Sequence, residues 1–182
     1  PDGAGGLLPG AAAVNVDDPY GARLAEELAA IGSPPLTTFS PSGDRSATLA
    51  AAGVEFDAGG TRFLLHADGE KDLPVSLRLP GHFNVENALA ALACVRAIGI
   101  DLGSAVAALA GAEPVPGRME PIDEGQAFGV LVDYAHTPDS LENVLGAARK
   151  LTGGRLISVF GCGGDRDPLK RPLMGRAGAE LS

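Results

Sequence analysis

A chain of 182 residues with 45% hydrophobic content has room for one domain or for two incomplete ones. Its net charge of -9 argues against non-specific binding to nucleic acid or to a membrane surface, although a few arginines and backbone amides can still hold an anionic ligand. No apolar run approaches the roughly 18 residues of a membrane-spanning helix. The only two cysteines, Cys94 and Cys162, suit neither a disulfide framework nor a zinc site. These features predict a cytoplasmic protein without membrane insertion.

The first part of the chain alternates between strand and helix patterns. Residues 11–16 predict a strand that ends at two aspartates, and residues 35–40 predict a second strand. The helix expected between them carries three apolar residues on one face, at positions Leu24, Leu28 and Ile31. This order is typical of a parallel sheet with helical crossovers.

The pattern changes after the second strand. Short alternating runs in residues 47–79 predict two or three antiparallel strands. Helix patterns then return, with Asn84 expected as the N-cap of one helix. A second helix is expected to be capped near Asp101 and to end around Ala112.

Prolines at positions 114, 116 and 121 indicate a domain junction. Beyond it, two nearly continuous apolar runs, 128–134 and 155–161, flank a helix predicted over 137–151. Strands that are apolar on both faces and joined by a helix predict a buried parallel sheet. The fold class expected is therefore α/β, divided into residues 1–113 and 114–182. Both ends look cut, so we expect an internal fragment of a longer protein.

Three polar residues, Asp133, Tyr134 and His136, follow the first of these apolar runs and precede the helix. Ligands of open α/β sheets bind outside the carboxyl ends of strands, so a ligand role for the three side chains is open at this position beside a structural one. The next residues, 137–139 (TPD), are interpreted as structural: an N-cap, a proline at the first helical position and an acid near the positive end of the helix.

The second apolar run ends in a glycine loop, residues 161–164 (GCGG). The loop is neither a dinucleotide fingerprint nor a phosphate loop, because the third glycine of the former and the Gly-Lys-Ser/Thr of the latter are missing. Asp165 and Asp167 would repel phosphate, so Arg166 between them suits a zwitterionic ligand. An internal ion-pair network is the alternative interpretation.

Two further residues are candidates for nucleotide contacts. Asn87 lies one turn beyond Asn84, and its carboxamide can both donate to and accept from an adenine edge; a capping pattern with Asn87 at the third helical position is the alternative. Arg118 lies in the stiff junction and could clamp a phosphate, or pair with Glu120 on the surface.

Several stretches, in this order, resemble the Mur ligase family: 15–21 (NVDDPYG), 79–93 (LPGHFNVENALAALA), 115–123 (VPGRMEPID), 131–145 (LVDYAHTPDSLENVL) and 160–175 (FGCGGDRDPLKRPLMG). DYAHTP and GCGGDRD are typical of the branch that adds a diamino acid to the peptidoglycan stem peptide. The stretch FNVEN is shared more widely, including with folylpolyglutamate ligases. The resemblance covers nearly the whole chain.

The resemblance implies an ATP-dependent amide ligase that acts in the cytoplasm as a monomer and binds no nucleic acid. ATP would phosphorylate a carboxylate of UDP-N-acetylmuramoyl-L-Ala-D-Glu, and the amine of meso-diaminopimelate or L-lysine would attack the acyl phosphate. The chain would span the end of a central mononucleotide-binding ATPase domain, with a small antiparallel portion, and the start of a Rossmann-like C-terminal domain.

The resemblance also assigns roles to individual residues. Asn87 would contact adenine, Arg118 the ribose or phosphates, and Asp133 and His136 would lie beside ATP. Arg166 would bind a carboxylate of the incoming diamino acid. The phosphate loop, the magnesium ligands and the catalytic residues are expected outside residues 1–182, so this piece alone should not catalyse. The alternatives are a folylpolyglutamate or cyanophycin synthetase-like ligase, or a non-catalytic nucleotide-binding relative.

Overall fold

The computed structural model describes residues 10–32, 34–57, 60–113, 115–164 and 167–182. The chain divides into two compact units between Ala112 and Glu113. In the described ranges, every helix is too short or too polar to cross a membrane.

A five-stranded sheet forms the centre of the first unit, with its strands in chain order. The first three strands pair in parallel, and the third, fourth and fifth pair antiparallel. The predicted β-α-β beginning and the antiparallel portion after it are therefore confirmed. The strands are β1 (Ala12–Asn15), β2 (Leu36–Ser40), β3 (Leu49–Asp57), β4 (Gly60–Ala67) and β5 (Leu73–Leu77).

Helix α1 (Pro19–Ile31) connects β1 to β2 as predicted. Its predicted apolar face of Leu24, Leu28 and Ile31 is not the face that is buried against the sheet. Leu24 is 46% exposed and Ile31 is 67% exposed, and Ala25 is the residue of the helix that is buried. The helix approaches the sheet through small residues: a Cβ built on Gly21 would overlap the carbonyl oxygen of Asn15. This close backbone approach leaves Leu24 and Ile31 at the solvent side, whereas Leu28 is half-buried.

Helix α2 (His82–Ala97) and helix α3 (Leu102–Ala110) cover the sheet. The cap of α3 by Asp101 is confirmed, since its carboxylate accepts the amide hydrogen of Ser104 at 2.8 Å. Leucines, valines, alanines and phenylalanines from the strands and both helices form the core, which includes Leu49, Leu65, Val85, Leu89 and Leu92, all at most 1% exposed.

The prediction that Asn84 caps α2 is wrong, because the N-cap is Gly81, three residues earlier, and the helix begins at His82. Gly81 has a φ of 106°, a conformation that glycine reaches without strain, and it turns the chain into the helix. Asn84 is therefore inside the first turn and 7% exposed. Its Nδ2 donates to the carbonyl oxygen of Pro80 at 2.9 Å, which satisfies a buried amide. The alternative placing of Asn87 at the third helical position is wrong for the same reason.

The second unit contains two short antiparallel strands, β6 (Glu120–Pro121) and β7 (Leu131–Val132), and two helices, α4 (Pro138–Leu151) and α5 (Lys170–Leu181). Helix α4 begins where predicted, since Thr137 accepts from the amide of Ser140 and the two residues form a capping box. The helices pack against each other through a small core of Leu141, Leu145, Met174 and Ala177.

The predicted buried parallel strands of the second unit are not found in its described part. Only Leu131–Val132 of the first apolar run is a strand, and residues 155–161 pair with no other strand. Leu156 packs against the helical core, whereas Ile157 is 66% and Val159 is 95% exposed. An apolar run becomes a strand only where neighbouring strands supply its hydrogen bonds, and these residues have no such neighbour. The α/β class itself is confirmed.

Candidate functional site

Asn87 is an exposed residue in the lining of an apolar cavity in the first unit. The cavity has a volume of about 130 Å³ and is lined by Leu77, Arg78, Leu79, Asn84, Asn87, Ala88, Ala91, Leu109 and Ala112. The side chain of Asn87 is exposed, and its Nδ2 donates to Asn84 Oδ1 over a long 3.4 Å. Its own Oδ1 therefore stays available as an acceptor.

The size and lining of this cavity suit a flat apolar group with a polar edge. An engineered cavity of roughly 150 Å³ holds a benzene molecule, so about one ring fits inside and a larger base would extend through the mouth. Alanine and leucine side chains form most of the wall, and the carboxamide of Asn87 can hydrogen-bond the edge of the bound group.

Asp133 and the residues around it form a polar corner in the second unit, between β7 and α4. The half-buried carboxylate of Asp133 accepts two backbone amides: Oδ2 from Met119 and Oδ1 from Ala135, each at 2.8 Å. The carboxylate therefore joins the residue before β6 to the turn after β7, which fixes the backbone on both sides of the corner.

The rings of Tyr134 and His136 meet edge to face in this corner. Their ring centroids are 4.9 Å apart with an interplanar angle of 61°, and His136 Nδ1 lies 3.0 Å from the carbonyl oxygen of Tyr134. A nitrogen that bonds a carbonyl oxygen must carry the proton, so Nε2 is the nitrogen left for a ligand. Lys170 Nζ donates to the carbonyl oxygen of His136 at 3.2 Å and so connects α5 to the corner.

Arg118 completes the corner. Its guanidinium carbon lies 5.1 Å from the centre of the Tyr134 ring, within the range of a cation–π contact. The alternative pairing with Glu120 is not formed, since that carboxylate does not lie within ion-pair distance of the guanidinium; its Oε2 accepts the amide hydrogen of Gly117 at 2.6 Å. Among the residues that the structure describes, no carboxylate lies within ion-pair distance of Arg118. Its positive charge is available to an anion.

The structure therefore brings three of the five sequence-predicted site residues together: Arg118, Asp133 and His136. Asn87 belongs to the first unit, with its own cavity. Arg166 and Asp165 lie outside the described residues, whereas the neighbouring Asp167 is exposed. Within the described ranges, no group of three or more His, Cys, Asp or Glu side chains could hold a metal ion.

Sequence reasoning missed Met119 and Lys170 as parts of the corner. Met119 has a φ of +46°, and methionine gives no signal for this left-handed conformation. Lys170 contacts the corner from 34 residues away, which no local pattern indicates. Ser140 could have been found, because a hydroxyl three residues after Thr137 fits a capping box.

A second polar cluster, also missed, lies in the first unit on the β4–β5 hairpin. Asp72 contacts Arg45 Nη2 and His66 Nδ1, each at 2.9 Å. The hydrogen bond with His66 is the largest influence that lowers the pKa of Asp72, with Arg45 adding to it and partial desolvation opposing it. The cluster connects the loop before β3 to the hairpin.

Two family models match the chain, one on each side of the junction. Residues 6–95 match the Mur ligase middle domain, and residues 117–182 match the Mur ligase glutamate ligase domain. The chain belongs to the Mur ligase family. The resemblance inferred from the motifs is confirmed.

Individual relatives agree with the family. The chain is 45% identical over 171 residues to the UDP-N-acetylmuramoyl-L-alanyl-D-glutamate--2,6-diaminopimelate ligase of Syntrophomonas wolfei, covering 94% of this chain and 34% of that protein. A solved ligase of the same name aligns with a TM-score of 0.67 and 35% identity, covering 94% of this chain and 35% of that one. The chain therefore spans about a third of the length of the curated relatives that it matches.

A folylpolyglutamate synthase from Mycobacterium tuberculosis, solved with ADP, aligns with a TM-score of 0.54 at 21% identity. The alignment covers 72% of this chain and 28% of that one. Similarity at this level shows a shared fold and no more.

Proposed function

We propose that this chain is part of an ATP-dependent ligase that joins a diamino acid to UDP-N-acetylmuramoyl-L-alanyl-D-glutamate in peptidoglycan synthesis. The observation that carries the proposal is 45% identity, over 94% of the chain, to a ligase named for this dipeptide and for 2,6-diaminopimelate. The same relatives favour diaminopimelate over lysine as the amino acid. The ligase would act in the cytoplasm as a monomer.

Residues 1–113 would be the C-terminal part of the central ATPase domain, and residues 114–182 the N-terminal part of the ligase domain. In the first, the cavity beside Asn87 would take adenine, with the carboxamide bonded to the edge of the base. The apolar lining and the free Oδ1 of Asn87 support this assignment.

In the second part, the polar corner would contribute to the ATP site. Arg118 would bind the ribose or phosphates, because its guanidinium is exposed and lacks a carboxylate partner among the described residues. His136 would offer Nε2 to the nucleotide, and Asp133 would keep the corner in shape through its two backbone hydrogen bonds.

When bound, ATP supplies the phosphoryl group that activates the dipeptide carboxylate. Mg²⁺ would be held by residues outside the described part of this chain. Arg166 would bind a carboxylate of the diamino acid, because a guanidinium can form two parallel hydrogen bonds with a carboxylate and the aspartates beside it disfavour phosphate. The cavity beside Asn87 and the polar corner would therefore bind and orient the nucleotide, and they would supply no catalytic residue.

The test is phosphate release by the full-length ligase with Mg-ATP, UDP-N-acetylmuramoyl-L-Ala-D-Glu and meso-diaminopimelate. Release should require all three substrates, and L-lysine should replace meso-diaminopimelate poorly. Release with a folate and glutamate in place of the muramoyl dipeptide and diaminopimelate would assign the chain to the folylpolyglutamate branch. If the protein binds ATP but releases no phosphate with any of these acceptors, a non-catalytic relative would be favoured.

A further inference from the structure

Tyr134 has an unusual position for a large aromatic side chain. Its ring is 64% exposed, and its hydroxyl makes no hydrogen bond with the residues that the structure describes. The ring is nevertheless flanked on two sides, by the guanidinium of Arg118 at 5.1 Å and by the edge-on ring of His136 at 4.9 Å. Neither burial nor a hydroxyl contact explains why a phenol ring occupies this position.

The backbone beside Arg118 is fixed in a strained conformation. Met119 is the one non-glycine residue of the described ranges with a positive φ, at +46°. Its side chain is 1% exposed, and its amide donates to Asp133 Oδ2 at 2.8 Å. Such conformations persist only where the surroundings enforce them, and they cluster at functional sites.

Hydrogen bonds also fix the backbone that carries the Tyr134 ring. Asp133, the preceding residue, bonds the amides of Met119 and Ala135, and the carbonyl oxygen of Tyr134 bonds His136 Nδ1. The long Arg118 side chain is exposed, and its guanidinium lies over the face of the Tyr134 ring. A cation on an aromatic face loses rotational freedom before any ligand arrives.

We infer that Tyr134 is a positioning residue, whose ring holds the Arg118 guanidinium ready for the nucleotide. The inference rests on the proposed contact of Arg118 with ATP. The face of the ring acts on the nucleotide through the arginine. The hydroxyl is not needed for this role.

The experiment measures KM for ATP and kcat in the full-length ligase, for wild type, Tyr134→Leu, Arg118→Ala and the double variant. Tyr134→Leu should raise KM for ATP about two- to fivefold, the scale of an exposed cation–π contact, with kcat nearly unchanged. Tyr134→Phe should keep the wild-type KM, because it retains the ring. In the Arg118→Ala background, Tyr134→Leu should add nothing.

Phe128 provides a matched control, since it is another aromatic residue of the same unit, is 69% exposed and has no recorded contact with Arg118. Phe128→Leu should leave KM and kcat unchanged. The melting temperature of each variant shows whether the fold survives. If Tyr134→Leu does not fold, the Tyr134→Phe and Arg118→Ala variants still test the requirement for the hydroxyl and for the arginine.

Different results separate the two proposals. If Arg118→Ala leaves KM for ATP unchanged, the proposed nucleotide contact of Arg118 fails, and the inference fails with it. If Arg118→Ala raises KM but Tyr134→Leu does not, only the positioning role is wrong. A Tyr134→Leu effect that persists without Arg118, or a Tyr134→Phe effect as large as that of leucine, would show that the phenol contacts the ligand directly.

Discussion

Replacing Asn87 by alanine should weaken nucleotide binding without weakening the fold. The side chain is exposed, and its one recorded hydrogen bond, to Asn84 Oδ1, is 3.4 Å long. Surface substitutions of this kind usually change the free energy of unfolding by less than about 0.5 kcal/mol. The melting temperature of the full-length ligase should therefore stay close to that of the wild type.

The effect on ATP follows from the hydrogen bond that the carboxamide would make with adenine. A neutral hydrogen bond contributes about 0.5 to 1.5 kcal/mol, so its loss should raise KM for ATP by a factor of roughly 2 to 13. The cavity walls remain, since Ala88, Ala91 and Leu109 are unchanged. Binding of the base should therefore weaken and not disappear.

The assay is steady-state kinetics with ATP varied at saturating dipeptide and diamino acid, together with a thermal melt. Asn84→Ala is the matched control, because its Nδ2 bonds the Pro80 carbonyl oxygen at 2.9 Å and the residue is buried. That variant leaves a buried carbonyl unpaired and should lose about 1 to 3 kcal/mol of unfolding free energy. A lower melting temperature for Asn87→Ala, with KM for ATP unchanged, would refute the adenine contact.

Three further predictions concern stability and the amino acid. Met174→Ala should lower the free energy of unfolding by about 2 to 5 kcal/mol in denaturant titrations, because Met174 is fully buried between α4 and α5; a loss below about 1 kcal/mol would contradict that packing. Asp72 has a lowered pKa through its hydrogen bond with His66, so its contribution to stability is present above its unfolded-state pKa and is lost as the pH falls through the lower folded-state pKa. Stability measured from neutral pH down to about pH 3 should therefore fall less steeply for Asp72→Asn, and an unchanged slope would show that the cluster contributes nothing. Arg166→Ala should raise KM for the diamino acid about tenfold or more, the scale of a lost charged hydrogen bond, with KM for ATP little altered. A rise in KM for ATP alone would place Arg166 at the phosphates. No change in KM for either substrate would favour a structural ion-pair network.

Local patterns were sufficient to predict much of the fold. The antiparallel strands of the first unit follow from their alternating patterns, and the caps at Asp101 and Thr137 follow from residues whose side chains bond the first free amides of a helix. The interactions involved lie within a few residues of each other, which is why the sequence alone reveals them.

Features that depend on distant partners could not be predicted in this way. Helix α1 packs through Gly21 and Ala25 because of a close backbone approach that its apolar periodicity does not encode. The run 155–161 has the composition of a buried strand, but strand formation needs hydrogen bonds from a neighbour.

The candidate site shows the same division. Position at the end of an apolar run was enough to single out Asp133, Tyr134 and His136. The strained backbone of Met119 and the reach of Lys170 depend on tertiary contacts, and neither residue type signals its role.

The exposed apolar side chains of residues 155–161 affect how this chain behaves when it is prepared by itself. A segment of strand-like composition, with Ile157 and Val159 exposed and with no strand paired to it among the described residues, is a template for β-pairing between molecules. The net charge of -9 keeps such molecules apart at low ionic strength. Added salt shortens the range of that repulsion, to about 10 Å at 0.1 M and about 3 Å at 1 M, so the isolated chain should aggregate more readily as salt and concentration rise together.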